Sequence, residues 1–92
     1  MAQQPAPGDT IITRTAVAQQ IEARLAGRVD DVALAAWALD RFYALELGAE
    51  QAEAGFEAAI SGALDDLMFG DEPGFRLGDD DLRGLLARLG SV

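Results

Sequence analysis

The sequence contains no cysteine, no histidine, no lysine and no asparagine. Without cysteine there is no disulfide framework and no thiol chemistry, which fits a reducing compartment. Without histidine, acid–base catalysis near neutral pH would fall to a carboxyl shifted by burial. A zinc or other transition-metal site would have to be built from carboxylates alone. Hydroxyl nucleophiles reduce to Ser61, Ser91, Thr10, Thr13, Thr15 and Tyr43, none beside an obvious base. No glycine-rich loop has the spacing that cradles phosphate. An enzyme is not expected, and no catalytic, cofactor or metal residue is assigned. No apolar run approaches the roughly 20 residues of a membrane span. The opening Met1–Gly8 has neither the basic nor the apolar stretch of a signal peptide, so the expected location is the cytoplasm.

Positive charge is also scarce. Seven arginines stand against sixteen acids, for a net charge of −9. Such a surface repels phosphate backbones and anionic lipid, so neither nucleic acid nor membrane is an expected partner. It attracts a basic protein, and it also keeps a small chain in solution; charge alone leaves both readings open.

What remains is helix-forming. Alanine supplies 18 of the 46 residues counted as hydrophobic, leucine dominates the bulky ones, and there are only four valines and four isoleucines. Alanine and leucine favour helix, β-branched residues favour strand. Ninety-two residues make one domain with a modest core. The expected fold class is all-α: a compact four-helix domain, residues 10–92, with a short extended segment before the last helix. Residues 1–9, broken by Pro5, Pro7 and Gly8, read as a flexible tail.

Glycines divide the rest. A first helix is expected from Thr13 or Thr15 to Ala26, capped by a threonine, stopped by Gly27, with Val17, Ile21 and Leu25 inward. Ile11 and Ile12 precede it as an irregular or short extended piece. A second spans Asp30–Leu47, with Asp30 as N-cap and Gly48 after its end. Leu34, Ala35, Ala38, Leu39, Phe42, Tyr43 and Leu45 cover half its circumference and Trp37 widens that surface. It is therefore expected at the centre with Trp37 largely buried. A third is expected over Glu50–Met68 on a stripe of Phe56, Ile60, Leu64 and Leu67, with Gly55 and Gly62 inside it. Gly70–Gly74 is a turn, Phe75-Arg76-Leu77 an extended piece with Phe75 and Leu77 inward, and Asp79–Leu89 the last helix.

Two acidic groups stand out. Asp79-Asp80-Asp81 falls in the first turn of the last helix, where the helix dipole favours negative charge, and it lacks the alternating ligands of a calcium loop. Asp65 and Asp66, with Asp71 and Glu72, gather at a helix end and loop where no dipole calls for them. These four are the candidate partner-binding residues, set against a merely solvated face. Phe69 either folds back under the Asp71–Phe75 loop or forms part of an exposed apolar contact.

The stretch Gly27-Arg28-Val29-Asp30-Asp31-Val32-Ala33-Leu34-Ala35-Ala36-Trp37-Ala38 resembles a pattern in small bacterial helical proteins. There a Gly, an aliphatic residue and a capping Ser or Asp lead into an aliphatic-Ala-x-Trp-Ala helix. Leu64-Asp65-Asp66-Leu67, Phe75-Arg76-Leu77 and Leu82–Leu89 are similar to their C-terminal half. Some of these proteins are thought to be immunity proteins of contact-dependent growth inhibition. The resemblance implies a helical fold and a toxin as protein partner, and the net charge of −9 adds that this toxin domain would be basic; the resemblance transfers no binding residue. The expected function is a small acidic protein-binding module of the immunity type. The alternative is a structural or regulatory homodimer.

Overall fold

The computed structural model describes residues 10–90; the tail expected over residues 1–9 lies outside the described residues. The described chain runs β1 (Thr10–Ile12), α1 (Arg14–Leu25), α2 (Asp31–Glu46), β2 (Glu50–Ala52), α3 (Glu57–Leu67), a single 3-10 turn (Pro73–Phe75) and α4 (Asp79–Arg88). The protein is mostly helical, with four α-helices among the described residues, but the expectation of an all-α chain needs correcting. β1 and β2 form a two-stranded parallel sheet in the register Thr10↔Glu50, Ile11↔Gln51, Ile12↔Ala52. Parallel strands need a long crossover, which α1 and α2 supply.

Local chemistry sets most helix starts. The Thr13 hydroxyl accepts from the Ala16 N–H at 3.0 Å and opens α1. The Asp30 carboxylate accepts from the Ala33 N–H at 2.8 Å and opens α2. Each bond satisfies a donor that has no partner inside its helix. At α4, Asp81 accepts from the Gly78 N–H at 3.0 Å. Gly48, at φ +74, takes the left-handed conformation that ends α2.

The third helix is shorter than expected. Residues 50–52 are strand, and Gly55 sits at φ +87, a conformation no helix interior contains. The N–H of Phe56 then reaches the Glu53 carbonyl at 3.0 Å, and α3 begins at Glu57. Glutamate, glutamine and alanine favour helix here, yet hydrogen bonds to β1 override them. The ladder continues one residue further, the Glu53 N–H donating to the Ile12 carbonyl at 3.0 Å.

The core lies where α1, α2, α3 and α4 meet. Val17, Ile21, Ile60, Leu64, Leu67, Leu82 and Leu89 are fully enclosed, and no polar side chain is buried among the described residues. α2 packs against α3, β2 and α1, burying Leu34, Ala35 and Ala38. Trp37 rests against this core but is only half-buried, less enclosed than expected.

Arginine clasps hold the elements together. Arg14 pairs with Glu53 at 3.3 Å, and its own N–H donates to the same carboxylate at 3.0 Å, so Glu53 closes the first turn of α1. The backbone N–H first, and then the guanidinium, hold the Glu53 carboxyl below its ordinary pKa. Arg24 binds Asp31 and lies 3.9 Å from Asp79, linking α1 to the starts of α2 and α4. Its pKa is raised, chiefly by the hydrogen bond to Asp31. Arg41 ties α2 to Glu50 of β2.

Candidate functional site

Ile60, Ala63, Leu64 and Leu67 take the inner face of α3, which turns Asp65 and Asp66 outward over its last turns. Asp66 meets Arg88 of α4 at 3.5 Å, an exposed pair of small energetic consequence. Beyond α3 the chain tightens. The Gly70 N–H reaches the Leu67 carbonyl at 2.9 Å, the Glu72 N–H the Phe69 carbonyl at 3.0 Å, and the Phe75 N–H the Glu72 carbonyl at 2.9 Å. Gly70 is buried, and a Cβ there would lie 3.1 Å from the Leu67 carbonyl oxygen. This folded connection holds Asp71 and Glu72 at the surface.

Phe69 does turn towards the loop, its ring centroid 5.8 Å from that of Phe75. It is nevertheless 43% exposed, and Phe75, expected to face inward, is 64% exposed. The reason is local. Phe75 closes the 3-10 turn Pro73–Phe75, the extended backbone begins only at Arg76, and Leu77, two residues on from Phe75, packs against the core.

Phe69 separates two shallow depressions. One is lined by Asp65, Asp66, Phe69, Phe75, Arg76 and Leu77. The other is lined by Val32, Ala35, Ala36, Leu39, Met68, Phe69, Asp71 and Glu72. The four acids singled out in the sequence therefore stand around one exposed ring, two beside each depression. Two bases stand at the acids' edge: Arg88, paired with Asp66, and Arg76, whose Nε lies 3.9 Å from Asp31.

The second acidic group is engaged in the fold. Asp81 closes the start of α4, Asp80 meets Arg83 at 3.3 Å and Asp79 lies near Arg24. Asp65, Asp71 and Glu72 form no ion pair among the described residues, which leaves their charge directed at solvent or at a partner. No group of three or more carboxylates among those residues is placed to hold a metal ion. Among the described residues no helix is long and apolar enough to cross a membrane.

The outward face of α2 was not anticipated. Leu39 and Tyr43, expected to join the core, lie instead on a stripe with Val32, Ala36 and Leu47; Val32 is 62%, Tyr43 57% and Leu47 81% exposed. The spacing i, i+4, i+7, i+11, i+15 was available as a signal. It is obscured because α2 carries a second apolar face at Leu34, Ala35 and Ala38, and 100° per residue cannot say which of two faces is covered. An apolar strip with a carboxylate border has the chemistry of a binding surface: area to exclude water, and charge to orient what arrives.

In comparison with models of known protein families, with curated proteins and with solved structures, the chain matches none.

Proposed function

We propose that this chain is a small protein-binding module that meets a basic protein through its acidic surface, in the manner of an immunity protein neutralising a basic toxin domain. The observation that carries the reading is the placement of Asp65, Asp66, Asp71 and Glu72 around the exposed Phe69–Phe75 pair. The net charge of −9 strengthens the approach of a positively charged partner. The resemblance of Gly27–Ala38 to helical proteins of growth-inhibition systems supports the immunity role, acting on the cytoplasmic side. The test is affinity capture from the source cell, followed by binding of the captured protein to the variant with Asp65→Asn, Asp66→Asn, Asp71→Asn and Glu72→Gln. A basic partner whose association slows with the variant supports the reading. An acidic partner, or unchanged association, rejects it.

A second reading, a structural or regulatory homodimer, is favoured by the exposed apolar stripe of α2. Sedimentation over a range of concentrations tests it directly, since a dimer of this kind dissociates on dilution.

A further inference from the structure

Deepening the reading of an acidic binding surface, and resting on it, we infer that the stripe Val32, Leu39 and Tyr43 of α2, continued by Leu47 just past its end, seats a basic amphipathic helix of the partner protein.

The stripe is the length of a helix face. From Val32 to Leu47 it covers fifteen residues' rise, about 22 Å, which matches four turns of a docking helix. Recognition of this kind anchors apolar residues at i, i+3, i+4 and i+7 in a hydrophobic groove. Part of the stripe borders a depression, in which Val32 and Leu39 share the lining with Met68 and Phe69.

Charge selects the occupant. At 100° per residue Glu46 borders the stripe on one side and Asp40 on the other, and both are exposed. Asp71 and Glu72 line the depression that Val32 and Leu39 border. Arg41, the one base within α2, points to the opposite side of the helix and is held by Glu50. No base lines the depression beside the stripe. An apolar strip framed by carboxylates complements a helix with an apolar face flanked by lysine or arginine. A second copy of this chain would bring Asp40 and Glu46 against the same acids, and like charges placed across an interface oppose association. An anionic lipid surface meets the same repulsion.

The experiment titrates the full-length protein with a fluorescent synthetic helix of about 18 residues, leucines on one face and lysines on the other. Two control peptides accompany it: the same residues scrambled so that no apolar face forms, and the amphipathic helix with glutamate for each lysine. The lysine helix is expected to bind about tenfold or more tightly than either control, shifting the NMR signals of Leu39, Tyr43 and Phe69. Leu39→Ser with Tyr43→Ser is expected to weaken it about tenfold, the loss typical of removing central contacts, with the denaturation midpoint retained. Val32→Ser alone provides a milder variant should the pair unfold the protein. Equal binding of the scrambled basic peptide overturns the groove while leaving the acidic-surface reading intact. Equal binding of the glutamate helix overturns the charge selection. Failure of every basic peptide overturns both readings, and dimerisation abolished by the stripe substitutions, without peptide binding, assigns the groove to a second copy and overturns the inference.

Discussion

The guanidinium carbon of Arg14 lies 3.5 Å from the centroid of the Phe56 ring. From that position the same side chain pairs with Glu53 and donates to the Gly90 carbonyl at 3.4 Å. One residue at the start of α1 thus holds the turn before α3 and the end of α4. Arg14→Met keeps much of the stem and removes the charge. It is expected to cost about 1–2 kcal/mol, combining a partly exposed cation–π contact with a partly exposed ion pair. Urea denaturation measures the loss, and Arg14→Lys should fall between the two.

Glu53 gives the fold a pH dependence with a definite sign. Its carboxyl is held below the ordinary value, first by the Arg14 N–H. A carboxylate with a lowered folded-state pKa contributes stability that is fully present above the unfolded value, about 4.3. That contribution is lost as pH falls through the lowered value. Denaturation midpoints measured from about pH 6 down to about pH 3 should therefore fall more steeply for the natural protein than for Glu53→Gln. Equal slopes would show that Glu53 does not close α1.

The two faces of α2 should respond differently to truncation. Leu34 is enclosed, and Leu34→Ala is expected to cost about 2–5 kcal/mol. Tyr43 is largely exposed, and Tyr43→Ser should stay within about 0.5 kcal/mol. Comparable losses at both positions would place Tyr43 in the core.

Gly55 separates the helical expectation for residues 50–56 from the observed turn. In a helix interior, Gly55→Ala would stabilise by about 0.5–1 kcal/mol. At φ +87 an alanine is strained, and the substitution should instead destabilise by about 1–2 kcal/mol. The sign of the change in urea midpoint decides.

Features set by neighbouring residues were legible before the structure. Asp30 caps the helix it was expected to cap, Thr13 is the one of the two candidate threonines that caps α1, and Leu82 and Leu85 face inward from α4. Pairing of β1 with β2 was not legible, because Ile11 meets Gln51 across forty residues of chain and Glu50-Gln51-Ala52 has no strand composition. The acids at 65, 66, 71 and 72 were found from charge clustering alone. The ring they surround was only half read, since Phe69 was allowed an exposed contact whereas Phe75 was assigned inward. Phe75 ends a 3-10 turn that Pro73 opens, and Leu77, two residues on, is the one of the pair that packs against the core.

The central claim is that the carboxylates around Phe69 draw in a basic partner, and association kinetics test it most directly. The Debye length shortens from roughly 10 Å at 0.1 M salt to 3 Å at 1 M, so attraction between exposed charges fades over that range. Stopped-flow mixing with the captured partner should show an association rate that falls about tenfold or more across it. The variant with Asp65→Asn, Asp66→Asn, Asp71→Asn and Glu72→Gln should start slower at low salt and lose most of the dependence, with dissociation changed less. An association rate indifferent to salt, or the same salt dependence in the variant and the natural protein, would contradict the claim.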